Sequence, residues 1–256
     1  MNNTLNLLYN RVSLRSYQDK NINNEDLKCI LNSAMRAPTA GNMMLYSIIV
    51  IKDKEKKKKL SQTCDNQSFI ATAPLILIFV ADMQRWSDYF DYCGIKQYCK
   101  ENNLEYRSPN YSDLFLSISD AMIAAQNAVI SAESLNIGSC YIGDIMENYE
   151  IHKDILDLPD KTFPIGMLTL GYYPENMKRT IKPRFDKEFI IFDEKYKRLS
   201  SKDFETMFQN LNNNLNKNNS YNAKNIGQLV YARKFGSPFS KEMERSINIM
   251  LKHWKS

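Results

Sequence analysis

The 256-residue chain is 43% hydrophobic and 25% charged, enough to bury a full core as one large domain or two small ones. Its net charge of +5 comes without any basic run interleaved with aromatics, which argues against a nucleic-acid partner and suits a small phosphate-bearing ligand. Five scattered cysteines lack a Cys-x-x-Cys pair, and His152 and His253 sit at no metal-ligand spacing from them, so reduced thiols and no metal site are expected.

Met1 to Asn10 carries no cationic side chain and no long apolar core, so no signal peptide is read there. The longest apolar run, Ala73 to Ala81, is too short to span a bilayer, and a cytoplasmic protein with no membrane partner is expected. Thr4 to Asn10 has the spacing of a short helix and leads into Arg11-Val12-Ser13-Leu14-Arg15-Ser16-Tyr17. A second helix should start at Asn23 or Asn24, with Leu27, Ile30, Leu31 and Ala34 on one face and a stop at Pro38. Ala37 to Asn42 has turn chemistry, and the β-branched run Tyr46 to Ile51 reads as a strand. Asp53 should open a lysine-rich helix with a solvated face. Leu75 to Val80 is continuously apolar, as in a strand covered on both sides.

The stretch 82–113 mixes seven aromatics with charge and reads equally as ordinary packing or as a lid or subunit contact. Leu114 to Asn136 is the most hydrophobic helix, its alanines allowing close packing and Gly138 suiting its C-terminal cap. Another helix is expected around Glu147 to Leu156, a third core strand over Ile165 to Leu170, and a short fourth over Phe189 to Phe192. Asn210 to Asn225 is asparagine-rich and reads as a flexible connection, and Ser240 could cap a last helix, Lys241 to Trp254. Few strands among long helices imply an α+β or α/β sandwich, here read as a single domain over 1–256 with a C-terminal extension at 200–256.

Hydrolase, Walker and dinucleotide-loop signatures are all missing, which favours an enzyme whose cofactor carries the chemistry. In an extended chain, Arg11, Ser13 and Arg15 point the same way and could hold a phosphate through charge-assisted hydrogen bonds. Lys182-Pro183-Arg184 offers a second stiffened cationic pair. Between them lie two glycine-bearing turns, Thr39 to Asn42 and Gly138 to Asp144, that let backbone approach a planar ligand. Taken singly, each of these is as readily a surface feature.

In this order, Arg11 to Tyr17, Ala37 to Asn42, Phe79 to Trp86, Tyr141 to Asp144 and Lys182 to Arg184 resemble the nitroreductase-like flavoproteins, closest to the larger NADPH-preferring nitroreductase and flavin reductase branch. The resemblance implies an α+β fold, a mixed sheet flanked by helices, in an intertwined homodimer with the 114–136 helix at its interface and a C-terminal strand reaching to the neighbouring subunit. It implies FMN as cofactor, NADPH or NADH as hydride donor, and ping-pong transfer to small-molecule electron acceptors such as nitroaromatics, quinones or flavins.

Carried over residue by residue, Arg11, Val12, Ser13 and Arg15 would line the FMN phosphate, ribityl chain and polar ring edge, and Lys182 and Arg184 would complete the phosphate site. Thr39, Ala40 and Asn42 would meet the isoalloxazine, Gln67 its pyrimidine end, and Tyr141, Ile142, Gly143 and Asp144 the N5 region. No protein nucleophile is required, so no catalytic residue is nominated. The chain departs from the family at Met44, Leu45 and Tyr46, where many members carry Gln-Pro and an aromatic, and at Val12, which stands for a frequent arginine. Rival readings are a specialised member acting on a dedicated metabolite, an FMN storage or sensing protein, and a basic nucleic-acid binder.

Overall fold

The helices begin where capping side chains stand. In the computed structural model, which describes residues 1–255, Asn2 caps α1 (Asn3–Asn10) and Asn23 caps α2 (Asn24–Met35), each accepting from a backbone N–H three residues on. After a 3-10 turn at Ala40–Asn42 come β1 (Tyr46–Ile51) and α3 (Lys54–Thr63), opened by Asp53. The lysine run of α3 is not uniformly solvated: Lys57 is buried and its Nζ donates to the Ala73 carbonyl at 2.7 Å. There follow α4 (Ser68–Thr72), β2 (Leu75–Asp82), α5 (Gln84–Tyr92), α6 (Ile95–Glu101) and the long α7 (Tyr111–Ser134). The chain continues through β3 (Ile137–Ile142), α8 (Tyr149–Leu156), β4 (Thr162–Tyr172), α9 (Ser201–Asn213), α10 (Ile226–Val230) and α11 (Pro238–Trp254).

The sheet has the order β1-β2-β4-β3, with every neighbouring pair of strands antiparallel. Its parallel component is an isolated bridge from Ser13 to Ser139. β2 is buried along its whole length, as its unbroken apolar run implies. Alternation sends Leu75, Leu77 and Phe79 to one face, against α2 and the buried alanines of α7. Ile76, Ile78 and Val80 go to the other face, against Leu60, Cys64, Ile70 and Leu156. By length and composition α7 could cross a membrane, but its Ala121, Ala124, Ala125, Ala128 and Ala132 face is buried in this core.

The chain divides into two compact units, Met1–Arg179 together with the stretch from Glu242 on, and Thr180–Lys241. In the first unit, the 82–113 excursion is α5 and α6. Its Trp86 packs on Tyr89 and Phe90 and donates to the Met43 carbonyl at 2.8 Å.

Four local expectations are corrected. Gly138 does not cap α7; Asn136 takes the left-handed conformation there (φ 58°), and Gly138 lies inside β3, within a segment expected to be a turn. Phe189 to Phe192 is not a strand: Lys187–Phe189 is a 3-10 turn whose carbonyl at Lys187 takes the N–H groups of Ile190 and Ile191, so local bonds consume the donors a ladder would need. The asparagine-rich stretch is partly α9, and beyond it Asn219 braces a turn, accepting from Tyr221 and Ala223 N–H and donating to the Ala223 carbonyl. The last helix starts at Pro238 rather than after Ser240, proline being well suited to a first helical position.

Candidate functional site

Glycines decide where the cationic segment lies. Gly138 and Gly171 stand directly opposite each other across β3 and β4. A Cβ on Gly138 would come 2.6 Å from Leu14 Cδ2, and one on Gly171 would come 2.5 Å from Tyr17 Cδ1. The missing side chains form a socket into which Leu14 and Tyr17 press, fixing the segment between them against the sheet. Leu14 N–H donates to the Ser139 carbonyl at 2.9 Å, and the Tyr17 hydroxyl donates to Thr169 Oγ1 at 2.8 Å. With Leu14 wholly buried, Ser13 and Arg15 face outward and Arg11 is half-buried. The alternation expected of an extended segment is thus present.

Arg11 Nη2 donates to Ser13 Oγ at 3.3 Å, and the Arg15 guanidinium lies 5.9 Å from the Phe69 ring centre. Val12 is half-buried. Burial pushes the Cys140 thiol up, against the opposing pull of Arg15, Ser13 and Arg11, so all three converge on one point of β3. Among the described residues neither Arg11 nor Arg15 forms an ion pair with a carboxylate. Directly beneath, Ser139 Oγ is buried without a hydrogen-bond partner.

The end of β3 supplies the next group. Tyr141 and Ile142 close the strand, Gly143 is exposed, and Asp144 opens a 3-10 turn, Asp144–Met146. Burial pushes the Tyr141 hydroxyl up to about 12, moderated by Arg11. Gln67, from the turn before α4, donates through Nε2 to Asp144 Oδ2 (3.1 Å) and the Cys64 carbonyl (3.0 Å). Two acceptors on one atom identify it as nitrogen and leave Oε1 as the amide's acceptor. Arg11, Val12, Ser13, Arg15, Gln67 and Tyr141 to Asp144 therefore share one region around β3.

Thr39, Ala40 and Asn42 lie elsewhere, in the loop before β1, the opposite edge of the sheet. Three inter-strand spacings, about 14 Å, separate β1 from β3. Gly41, Asn42 and Met44 all take positive φ, and Thr39 Oγ1 accepts from Met44 N–H at 3.2 Å. What holds this loop is buried Asp120 of α7: Oδ1 accepts from Ala40 N–H at 3.0 Å and Oδ2 from Leu45 N–H at 3.2 Å. Sequence reasoning passed over Asp120, although a carboxylate in the middle of an alanine-lined apolar helix was its signal. Lys182 and Arg184 are exposed, belong to the second unit, and form no ion pair among the described residues.

Unpaired guanidiniums, an outward hydroxyl, an orphaned buried serine, an amide with a free acceptor and an exposed glycine make a donor-rich, anion-accepting surface. That chemistry fits the phosphate, ribityl and imide groups of FMN. Among the described residues no group of histidine, cysteine and carboxylate side chains could hold a metal.

Known proteins share the sequence and the fold of this chain. The nitroreductase family model matches residues 8–172, from the end of α1 to the end of β4. An FMN reductase (NADPH) of Bacillus subtilis is 32% identical over 196 residues, 77% of this chain and 75% of that one. An oxygen-insensitive NADPH nitroreductase of Salmonella typhimurium is 28% identical over 202 residues, 79% of this chain and 78% of that one. The solved structure of NfrA2 from B. megaterium superposes with a TM-score of 0.78 at 28% identity, covering 100% and 98% of the two chains. A family match over most of the chain, with a relative above 30% identity across three quarters of its length, shows that this chain belongs to the nitroreductase family.

Proposed function

We propose that the protein is an FMN-dependent NAD(P)H oxidoreductase that reduces small-molecule electron acceptors such as nitroaromatics, quinones or flavins. The observation that carries this is the Arg11-Ser13-Arg15 strip, clamped on β3 by the glycine socket with its cations unpaired by carboxylates. Bound FMN would supply the hydride-accepting chemistry, with reduced nicotinamide as donor. The chain's own residues bind and orient. Arg11, Ser13 and Arg15, with Val12 between them, hold phosphate, ribityl and the polar ring edge, and Lys182 and Arg184 complete the phosphate contacts. Gln67 meets the imide end, and Tyr141, Ile142, Gly143 and Asp144 line the ring's reactive edge.

Thr39, Ala40 and Asn42 complete the site from a second copy of the chain, because they stand at the far edge of the sheet from the other group. A homodimer also accounts for apolar side chains exposed on α1 (Leu5, Leu8, Tyr9) and α7 (Phe115, Leu116, Ile123). The working protein is a cytoplasmic dimer, with residues 1–256 acting as one functional domain and without nucleic acid or membrane partners.

Purified protein is expected to be yellow and to release FMN rather than FAD on denaturation, since the cationic strip is suited to a single monophosphate. Release of FAD, or no flavin uptake on reconstitution, overturns the assignment. Anaerobic titration with NADPH and, separately, NADH should bleach the flavin absorbance; no bleaching by either identifies a storage or sensing protein instead.

Arg184→Ala should lower FMN affinity roughly ten- to a hundredfold, the loss of one charge-assisted contact worth about 1.5–3 kcal/mol. Folding stability should be untouched, because Arg184 is exposed and outside any ion pair among the described residues. Equilibrium dialysis against FMN measures the first and urea denaturation the second. Unchanged affinity would make Lys182 to Arg184 a surface loop.

A further inference from the structure

Behind the Gln67–Asp144 pair lies a carboxyl group that flavin binding does not use. Glu147, at the end of the turn that Asp144 opens, is 6% exposed, and its Oε1 is buried without a hydrogen-bond partner. Glu147 closes the 3-10 turn that Asp144 opens, its N–H donating to the Asp144 carbonyl at 3.1 Å, so the two carboxyl groups flank one turn and act on each other. Two neighbouring carboxylates can bond only if they share a proton. Among the described residues, the charged groups that act most on Glu147 bring no compensating cation. Asp65 follows α3, Asp144 shares its turn and Glu242 comes from α11, all three acidic. The buried Cys64 thiol is pushed up by its own burial, with Asp144 and Glu147 adding to the effect. On α8, burial pulls His152 down, and its ring bonds the Ile145 carbonyl and Thr63 Oγ1 as a neutral imidazole. Arg245 is taken by Glu242 and Glu150. Burial first, and then these carboxylates, push Glu147 up to about 8.

We propose that Glu147 is a positioning residue: a buried carboxylic acid that shares its proton with Asp144 and thereby fixes Asp144 and the Gln67 amide at the edge of the ligand site. The proton orients a chain of three side chains. Shared with Glu147, it holds Asp144 in place; Asp144 Oδ2 holds Gln67 Nε2; and Gln67 Oε1 is left outward to accept from a ligand N–H. Loss of the proton places two negative charges together in a buried corner, where they repel and release Asp144. The flavin end of this role rests on the function proposed above, whereas the shared proton does not.

The sign follows from the direction of the shift. A carboxyl raised from 4.5 to about 8 on folding binds a proton that the unfolded chain has released, so its contribution is full below 4.5 and lost as pH rises to about 8. In flavin-free protein, the unfolding constant of the parent should rise by up to about tenfold more per pH unit across that window than that of Glu147→Gln, a neutral isostere that can still donate to Asp144. Parallel profiles overturn the shared proton. Should Glu147→Gln fail to fold, the infrared band of a protonated carboxyl in the parent at about pH 6, gone by about pH 9, reads the same proton, and its absence is equally decisive.

In FMN titrations the parent should lose affinity as pH passes 8, and that pH-dependent loss should vanish in Glu147→Gln. The same loss in both proteins overturns the positioning role. If neither protein takes up FMN while the unfolding profiles still diverge, the flavin assignment falls and the proton-sharing pair stands.

Discussion

Replacing Asp120 by alanine should cost about 3–5 kcal/mol of folding stability, a fall in Tm of roughly 6–20 °C for a chain of this size. Asp120 is 3% exposed and binds two backbone N–H groups five residues apart, Ala40 and Leu45. Each is a hydrogen bond to a charged acceptor, and the alanine variant leaves the donors near the core without a partner. The loop so released contains three residues at positive φ, Gly41, Asn42 and Met44. Met44 holds that conformation against its own preference, and the Thr39 hydroxyl alone is a weak local brace once the anchor is gone. Asp120→Asn should not rescue fully, because its amide NH2 would face one N–H donor with another. Urea denaturation gives the stability change and limited proteolysis reports the loop. A loss below about 1 kcal/mol for Asp120→Ala would mean that water replaces the carboxylate cheaply.

Gly171→Ala tests the socket, and here the sign itself discriminates. Alanine in a strand interior is ordinarily no worse than glycine, so a neutral or slightly stabilising effect is the default. In this structure the added methyl would meet Tyr17 Cδ1 at 2.5 Å and Pro74 Cδ at 2.8 Å. Tyr17 would have to move, giving up its bonds to Thr169 and the Leu14 carbonyl. Overpacking of about 1–3 kcal/mol plus a lost buried hydrogen bond puts the expected destabilisation at about 2–4 kcal/mol. Because Leu14 and Tyr17 anchor the stretch that carries Arg11, Ser13 and Arg15 on the sheet, FMN affinity should fall with stability in this variant, whereas Arg184→Ala should lower affinity alone. Stability and affinity both preserved in Gly171→Ala would show that Tyr17 relocates freely and does not position Arg11 and Arg15.

The two variants mark where local sequence signals end. Caps, strand alternation and the alanine face of α7 depend on neighbours within a turn or two, and Asn23, Asp53, the Tyr46 to Ile51 strand and the Leu75 to Val80 strand stand where those rules put them. The family pattern was legible for a related reason. Alternate residues of an extended segment share a side, so Arg11-x-Ser13-x-Arg15 declares a cationic face wherever the segment docks.

Docking itself is long-range. Gly138 follows closely on a long helix, which makes it indistinguishable from a cap in the sequence, and only its pairing with Gly171 across two strands turns it into the floor beneath Leu14. Phe189 to Phe192 has the composition of a strand, but a strand requires a partner with free N–H and C=O groups, and local turn bonds claimed the donors first. Asp120 and Glu147 were silent for the same cause. A carboxylate's role depends on what burial removes and which donors arrive from distant segments, 75 and 80 residues away for Asp120. The amino-acid sequence by itself therefore determined these caps and strands, the alanine face of α7 and the chemical character of the cationic segment, since all arise from spacing along the chain. Tertiary structure alone decided which glycines make room for that segment, that Asp120 holds the loop before β1, and that this loop and the cationic segment stand at opposite edges of one sheet.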